Sequence, residues 1–398
     1  MSCLKERKEI MAIWTMDMDP GVIFGVDSRK RTGQKLKEYG ATKVVFIYDA
    51  VMGSLGHAAE MEEIIRQAGL AVIPYEAEVG EPTYAMVNRL ADFVMEQQAD
   101  GIVGLGGGAT MDTAKFAGRV IANGGRAEDY LGYTKSQNDL TYKTFRSIIV
   151  LPTTAGTGAE VNTAVSCITP EGKKANGRHR ATLAIIDPVY TYGLPKSITA
   201  NTGIDALAHA AESLCNSRAM PNPMADLIEK EAVKLVFQWL PIAYEHGDNK
   251  EAREKMCFAA MLGGYAIKLR KTTFGHAIGH RFADRYHWPH GFNCSLGLAA
   301  LVRYNVTGDP ESTRILAECC GVDCPPDADM TEVGKKVVEK FDALLKGVGM
   351  KNMKELGVEE EFCDFIKEDV SKDTKWTIVP NPPDFELMGK ALHESYDY

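Results

Sequence analysis

Four side chains in the second half of the sequence have the types and the spacing of a metal site. Asp205 and His209 lie four residues apart, which places a carboxylate and an imidazole on one face of a helix. His276 and His280 repeat that spacing, and His290 follows on a turn. One carboxylate with three imidazoles suits Fe(II) or Zn(II) and leaves room for a substrate oxygen. We therefore predict one ion held by Asp205, His209, His276 and His290.

The other histidines of this region need a separate interpretation, because a lone histidine more often packs or lies in solvent than binds a metal. Four of the nine histidines fall between positions 276 and 290. His287, between Tyr286 and Trp288, is interpreted as one that binds nothing. His280, one turn from His276, is predicted either to relay protons or to orient the ligands.

Two flexible loops in the first half have the composition of a dinucleotide site. Residues 104–109 (GLGGGA) follow a predicted strand and precede a helix, so their backbone N–H groups can approach a pyrophosphate. A tight strand-to-helix turn is the alternative. Residues 152–158 (PTTAGTG) follow another strand and offer hydroxyls to phosphate or ribose. We expect both loops to line one crevice, since strand ends converge in a doubly wound sheet.

Asp49, at the end of the predicted strand 43–48, is the candidate for cofactor selection. Its carboxylate can accept hydrogen bonds from the ribose hydroxyls of an adenosine, and its charge would oppose a 2′-phosphate. This favours NAD(H) over NADP(H). An exposed loop aspartate is the alternative.

The pattern of predicted elements divides the chain into two domains. Short apolar strands alternate with helices up to residue 187, which predicts an α/β domain with a doubly wound, mainly parallel sheet. Long helical stretches follow and predict an all-α C-terminal domain. The strands are predicted at 43–47, 71–74, 101–105, 147–151 and 184–186, and the helices at 58–67, 84–96, 112–122, 204–216, 223–245, 251–269, 331–347 and 358–370. We place the domains at 1–190 and 191–398.

Composition excludes several classes of function. The 398 residues are 45% hydrophobic and 25% charged, as in ordinary globular proteins, and the net charge is -9. That charge argues against binding to nucleic acid or anionic membranes. No apolar run is long enough for a membrane helix, and residues 1–9 do not resemble a secretory signal. Nine irregularly spaced cysteines suit reduced thiols in the cytoplasm.

Two basic clusters are unusual for an acidic chain and suggest a substrate. Lys268, Arg270 and Lys271 precede the predicted metal-binding helix, and Arg178 belongs to a second cluster with Lys174. Cations there could hold a sulfonate, phosphonate or carboxylate at the far end of a short aldehyde, such as sulfoacetaldehyde. A solvated face or a subunit contact is the alternative.

The motifs together resemble the iron-containing (group III) alcohol dehydrogenases over nearly the whole chain. The matching segments are GGGATMDTAK at 106–115, PTTAGTGAEV at 152–161, TGIDALAHAAE at 202–212, HAIGHRFADRYHWPHG at 276–291, and Asn381-Pro382-Pro383. The resemblance implies the same four metal ligands, with His280 near the active site but outside the primary ligands. It also implies cofactor contacts at Asp49, Gly106, Gly107, Gly108, Asp112, Thr153, Thr154, Thr157 and Lys174.

The predicted function is therefore an NAD(H)-dependent, metal-dependent alcohol dehydrogenase that acts on a short aldehyde or alcohol. The ion, Fe2+ with Zn2+ or Mn2+ as alternatives, would act as a Lewis acid on the substrate oxygen. A dehydrogenase for uncharged short alcohols or diols is the alternative substrate class. Outside enzymes, the alternative is a non-catalytic dinucleotide- or metal-binding module. The resemblance also suggests a homodimer or a larger homo-oligomer.

Overall fold

The computed structural model describes residues 13–130, 145, 147–171, 174–217, 219–373 and 382–398, and only the backbone of residues 174–176. The predicted cofactor contact of the Lys174 side chain lies outside this description, as does Asn381 of the C-terminal motif.

Six parallel strands form the central sheet of the first half. They are β1 (Gly21–Phe24), β2 (Lys43–Tyr48), β3 (Ala71–Glu76), β4 (Gly101–Gly106), β5 (Ile148–Pro152) and β8 (Leu183–Ile186). Between β5 and β8, the chain adds an antiparallel hairpin of β6 (Ala164–Ile168) and β7 (Lys174–Arg178). Strands β4, β5 and β8 are buried along their whole length, as expected for a parallel sheet covered on both faces.

Helices cover both faces of the sheet. They are α1 (Thr32–Glu38), α2 (Ala50–Ser54), α3 (His57–Gln67), α4 (Tyr84–Glu96) and α5 (Gly108–Asn123). One apolar cluster joins α1 and α3 to one face of the sheet, and a second joins α4 and α5 to the other face. The predicted doubly wound α/β architecture is confirmed.

The strand order creates a crevice at one point of the sheet. The order is β1-β8-β5-β4-β2-β3, so β2 leads outward to β3 while β4, on its other side, leads to β5. The connections after β2 and β4 thus run in opposite directions. Ligands of such sheets bind where this reversal separates two neighbouring strand ends. Here those ends carry Asp49 and Gly107.

The second half of the chain is helical. Its helices are α6 (Lys196–Leu214), α7 (Pro223–Glu245), α8 (Lys250–Arg270), α9 (Phe274–Tyr286), α10 (His290–Gly308), α11 (Pro310–Cys320), α12 (Met330–Gly347), α13 (Phe362–Ser371) and α14 (Phe385–Glu394). Helix α6 packs against α7, α8 and α10 and is the central helix of this half. Among the described residues, no helix combines the length and the apolar character that crossing a membrane requires.

Several predicted boundaries differ from the structure. Helix α7 spans the predicted residues, but α6 begins at Lys196 rather than at 204, and α5 begins at Gly108 rather than at 112. Gly108, the last glycine of residues 104–109 (the glycine loop), is already helical. The periodicity of apolar residues cannot reveal this. His290 was expected on a turn, yet it is the first residue of α10 because Pro289 immediately precedes the helix as its N-cap.

The sheet and the helical half share one core. Val150 of β5 and Ile186 of β8 belong to the same apolar cluster as Ile204 and Leu207 of α6. Burial of each such side chain stabilises the fold by about 1.5–3 kcal/mol. The two halves are therefore held against each other by apolar contact as well as by chain connectivity.

Glycines bring three helices of the second half unusually close together. A Cβ atom on Gly291 of α10 would lie 1.8 Å from the carbonyl oxygen of Asn201 on α6. A Cβ atom on Gly297 of α10 would lie 2.0 Å from the carbonyl oxygen of Gly275 on α9. Both neighbours are backbone atoms, which cannot rotate away as a side chain can. Any residue other than glycine would push α10 away from α6 or α9.

The substitution Gly297→Ala tests this close approach. We expect it to lower the free energy of unfolding by about 1–3 kcal/mol, because the added methyl group overpacks the contact with Gly275. Gly347→Ala is the matched control, since a Cβ atom there meets nothing within 4 Å. It should be neutral or stabilise by about 0.4–1 kcal/mol. Urea unfolding followed by circular dichroism measures both, and equal stability of the two variants would contradict the proposed packing.

Candidate active site

The four residues predicted to bind a metal come together around one carboxylate oxygen. From Oδ1 of Asp205, the Nε2 atoms of His209 and His290 each lie at 3.5 Å, and the Nε2 atom of His276 lies at 3.9 Å. Ligand atoms that share a tetrahedral ion with bonds of about 2.0–2.2 Å lie about 3.3–3.6 Å apart. The observed separations are close to that range.

Three helices supply these ligands. Asp205 and His209 lie one turn apart on α6, while His276 lies in the first turn of α9 and His290 is the first residue of α10. The close approach of Gly291 to the backbone of α6 brings His290 to Asp205. Because each ligand stands on a helix rather than on a loop, its position is fixed by packing.

The burial of these groups fits a bound cation. Asp205, His209 and His276 are only 3%, 5% and 6% exposed. Within the described part of the chain, the Nε2 atom of His276 is buried and has no hydrogen-bond partner. Burying a polar atom in this state costs free energy that a bound ion would recover. The donor set and its charge therefore fit a divalent metal ion.

Glu212 is a functional candidate that sequence reasoning missed. Its side chain is completely buried, and its Oε1 atom lies 2.5 Å from Nδ1 of His276. Its Oε2 atom accepts hydrogen bonds from the backbone N–H groups of Thr273 and His276, at 2.7 and 3.1 Å. A carboxylate on the outer nitrogen fixes the orientation of a ligating imidazole. Its position, seven residues after Asp205 on the same face of α6, was the available signal.

Cys294 is a second residue that sequence reasoning missed. It lies four residues after His290 on α10, and its Sγ atom is 3.6 Å from Nε2 of His290. The possible ligand atoms of Asp205, His276, His290 and Cys294 all lie within 4.8 Å of one another. The i, i+4 spacing of His290 and Cys294 predicts a contact only if both residues are helical, and from the sequence His290 was expected on a turn.

The protonation of the cluster follows from its burial and its neighbours. Burial lowers the pKa of His209 below its usual value, against the opposing charge of Asp205. Burial also acts to lower the pKa of His276, but Cys294 and Glu212 raise it well above its usual value. Burial raises the pKa of the Cys294 thiol. A neutral His209 has a lone pair ready for a metal, whereas His276 and Cys294 must each release a proton.

His280 lies beside the cluster but outside it. Its ring centroid is 6.3 Å from that of His276 and 6.1 Å from that of His290, and its side chain is partly exposed. This position lies between the buried cluster and solvent. It fits either of the two roles predicted from the sequence.

Asp49 and the two loops predicted to bind a dinucleotide, residues 104–109 and 152–158, meet at the crevice between β2 and β4. A Cβ atom on Gly106 would lie 2.8 Å from Oδ2 of Asp49, and the backbone N–H of Thr153 donates to the carbonyl of Gly106 at 3.1 Å. A Cβ atom on Gly108 would lie 3.0 Å from Cγ2 of Thr157. Glycine at these two positions lets the backbone approach Asp49, Thr110 and Thr157 more closely than a larger residue could. Helix α5 begins here, and its first N–H groups can bind phosphate.

The predicted cofactor residues differ in what they contact. Asp49 caps α2 by accepting from the N–H of Met52 through Oδ1, while Oδ2 is the oxygen beside Gly106. Asp112 instead binds Lys115 at 2.8 Å and the backbone N–H of Ser166 at 3.1 Å, which links α5 to β6. Of the three threonines, Thr153 is buried, and Thr154 and Thr157 are half-buried.

Residues 152–158, here called the threonine loop, connect the crevice to the metal cluster. A Cβ atom on Gly156 would lie 2.8 Å from the Cα atom of Thr202, three residues before Asp205 on α6. Gly158 has a φ of +59° and packs against Gly264 of α8, so the loop fits closely between two helices. The loop that borders the cofactor crevice therefore also contacts the helix that carries Asp205.

The basic residues predicted to bind an anionic substrate have other contacts in the structure, and Arg270 is the clearest case. Its side chain is buried and pairs with Glu229 at 2.5 Å and Asp226 at 2.7 Å. Its backbone carbonyl accepts a hydrogen bond from Asn216, which lies two residues beyond the end of α6. Burial raises the pKa of Glu229 to about 7 even though Arg270 opposes this. Arg270 is thus held by structural partners.

The other three cations are either paired with residues near the N-terminus or exposed. Lys268 pairs with Asp17 at 3.5 Å and donates to the backbone carbonyl of Asp19. Lys271 and Arg178 are exposed, at the end of α8 and on β7 respectively.

Removal of the Arg270 side chain tests its structural role. We expect Arg270→Ala to lower the free energy of unfolding by about 3–5 kcal/mol, because Glu229 is left as an unpaired buried carboxylate. Lys271→Ala, at the adjacent exposed position, is the control and should change stability by no more than about 0.5 kcal/mol. Chemical denaturation measures both. Equal stability of Arg270→Ala and wild type would show that the buried pair contributes nothing.

Comparisons with known proteins agree with this geometry. Residues 20–188 match the model of the iron-containing alcohol dehydrogenases, and residues 199–396 match the model of the C-terminal region of the same family. The chain belongs to the iron-containing alcohol dehydrogenase family. Its class of activity is accordingly that of an NAD-dependent alcohol dehydrogenase, and the predicted family and enzyme class are confirmed.

Individual relatives extend over most of the chain. The NAD-dependent methanol dehydrogenase of Bacillus methanolicus is 29% identical over 360 residues, covering 89% of this chain and 92% of the relative. The sulfoacetaldehyde reductase of Bilophila wadsworthia is 31% identical over 301 residues, covering 75% and 76%. The solved sulfoacetaldehyde reductase of Bifidobacterium kashiwanohense, in complex with NAD+, is 26% identical, with a TM-score of 0.84 over 97% of this chain and 99% of that one.

Proposed function

We propose that the chain interconverts a short-chain alcohol and its aldehyde with NAD(H), using one divalent ion in the cluster. The observation that carries this proposal is the position of three imidazole Nε2 atoms 3.5–3.9 Å from Oδ1 of Asp205. The proposed ligands are Asp205, His209, His276 and His290. We propose Fe2+ as the physiological ion, on the strength of the family, with Zn2+ and Mn2+ as alternatives.

The cofactor is proposed to occupy the crevice between β2 and β4. The glycine loop and the first turn of α5 would hold its pyrophosphate, and the threonine loop would hold its nicotinamide half near α6. The proposed contacts are Asp49, Gly106, Gly107, Gly108, Thr153, Thr154 and Thr157, with Asp112 acting through the hairpin it anchors. The partly exposed carboxylate of Asp49 supports NAD(H), because it would repel a 2′-phosphate.

The proposed role of each side chain or loop follows from its position relative to the cluster. A bound ion supplies Lewis-acid polarisation of the substrate oxygen. Glu212 holds the His276 ring with Nε2 turned toward Asp205, and so fixes the cluster before substrate arrives. The contact of Gly156 with α6 holds the cofactor crevice at a constant distance from the cluster, which supplies orientation. We propose His280, at the solvent side, as the residue that relays the proton.

Metal content separates the proposed ligands from the proposed relay. We expect Asp205→Asn to lose bound metal and turnover together, because it removes the only carboxylate among the four proposed ligands. His280→Gln should keep one ion per chain and lose about 10²–10⁴-fold in kcat, the usual value of a positioned acid or base. Elemental analysis and NADH oxidation with propanal measure both. A His280→Gln enzyme without metal would contradict this division of roles, as would an active Asp205→Asn enzyme.

Metal removal and restoration tests the function as a whole. The chain, stripped with a chelator and reloaded with Fe(II), Zn(II) or Mn(II), should oxidise NADH only with an aldehyde and only when reloaded. Absence of turnover with every ion and every short aldehyde would favour a binding module instead.

For the substrate, the contacts of the basic residues favour an uncharged short alcohol or aldehyde. Arg270 and Lys268 are bound to acidic residues and backbone carbonyls, so they do not offer a site to a sulfonate. Sulfoacetaldehyde is the second candidate, favoured by the similarity to two sulfoacetaldehyde reductases.

The two substrate classes are distinguished by kcat/KM at fixed NADH. We expect propanal to equal or exceed sulfoacetaldehyde. A cation at the far end of the substrate would instead favour sulfoacetaldehyde by roughly 10–100-fold, the value of a hydrogen bond to a charged group. That result would overturn the uncharged assignment and would require a basic residue other than Arg270.

Domain limits, compartment and assembly are proposed on sequence grounds. We propose a dinucleotide-binding domain over 1–190 and a metal-binding domain over 191–398, near the gap between the two family matches. The buried thiols suit the reducing cytoplasm. A homodimer or larger homo-oligomer stays a prediction from the family resemblance.

A further inference from the structure

Cys294 is placed differently from the other buried cysteines that the structure describes. Its Sγ atom lies 3.6 Å from the Nε2 atom of His290 and belongs to the group of ligand atoms within 4.8 Å of one another. By contrast, Cys215 donates to a backbone carbonyl of its own helix, and Cys363 lies beside the sulfur of Met353. Of these three cysteines, only Cys294 has a thiol that faces the imidazole nitrogens proposed as metal ligands.

The helix geometry keeps this thiol in place. His290 and Cys294 lie one turn apart on α10, so their side chains project from the same face. Cys294 is 0% exposed, and Gly297, in the next turn, holds α10 against α9. The sulfur therefore cannot turn to solvent without displacing the helix.

A second observation points to a ligand at the same place. The Nε2 atom of His276 is buried and turned into the cluster, and Cys294 interacts with this ring, as does Glu212. His276 cannot turn this nitrogen elsewhere, because Glu212 holds the opposite side of the ring at 2.5 Å. A cation is the group that would satisfy this nitrogen and attract a thiolate at once.

We propose that Cys294 is an additional sulfur ligand of the ion. The inference rests on the proposed metal site and adds a residue to it. On binding, the S–H bond breaks, a bond forms between sulfur and the divalent ion, and the proton leaves to solvent. No electron is transferred. The thiolate then joins the Asp205 carboxylate and the His276 and His290 imidazoles, whose ligand atoms lie within 4.8 Å of it and of one another.

A thiolate changes which ion the site retains. Sulfur is a soft ligand that zinc accepts readily, whereas carboxylate and water suit manganese. Cys294 thus raises the affinity for zinc relative to Mn(II). Its removal should lower zinc affinity by at least ~10–100-fold, the loss that even an outer-shell partner causes.

X-ray absorption at the zinc edge tests the proposal on the zinc-loaded full chain. The wild type should show a Zn–S distance of about 2.3 Å beside nitrogen and oxygen at about 2.0–2.2 Å. Cys294→Ser should lose the sulfur shell. Cys363→Ser, equally buried but remote from the cluster, should retain it. If Cys294→Ser does not fold, Cys294→Ala and the sulfur-to-cobalt charge-transfer band of the Co(II) protein give the same comparison.

The outcomes distinguish this inference from the function on which it rests. Zinc bound by nitrogen and oxygen alone in the wild type would overturn the role of Cys294 and leave the metal site standing. A sulfur shell that persists in Cys294→Ser would assign the ligand to another cysteine and would also overturn it. A wild-type chain that binds no zinc, iron or cobalt would overturn both.

Discussion

Burial of the Asp205 carboxylate among three imidazoles is the constraint on which the structure depends. Groups of this kind are costly to remove from water unless a partner compensates them. The chain meets this cost by placing the ligands on three packed helices, which bury Asp205, His209 and His276 and leave His290 partly exposed. Gly291 and Gly297 let α10 approach its neighbours at backbone distance. The buried Glu212 then fixes the one ring that comes from α9.

The same helix couples the two halves of the molecule. Helix α6 carries Asp205 and His209. Thr202, one turn before Asp205 on the same helix, contacts Gly156 of the threonine loop. That loop follows β5, whose neighbour β4 leads into the glycine loop. A cofactor in the crevice and an ion in the cluster would therefore be positioned by one continuous set of contacts. Apolar packing of β5 and β8 against α6 keeps this set rigid.

Sequence pattern predicted the parts of this arrangement that periodicity and residue type encode. Alternating strands and helices indicated the doubly wound sheet, and the i, i+4 pair of Asp205 and His209 indicated one helical face. The pattern could not give the start of α5 or α6, because glycine, threonine and lysine carry little periodic signal there. Nor could it predict Glu212, since a glutamate on a helix is ordinarily solvated. Its burial depends on α9, which is distant in sequence.

The basic cluster shows the limit of reasoning from charges that are neighbours in sequence, and the reason is physical. A run such as Lys268 to Lys271 on a helix projects its side chains in different directions, so proximity in sequence does not make a common site. Arg270 turns inward to Glu229, while Lys268 turns toward Asp17 and Asp19. Helical spacing accounts for only part of the histidine site, since Asp205 and His209 share one face of α6 but His280 repeats that spacing beside His276 and lies outside the cluster. Packing of α9 and α10 against α6 brings His276 and His290 to Asp205, so contact between helices is what makes these residues one site.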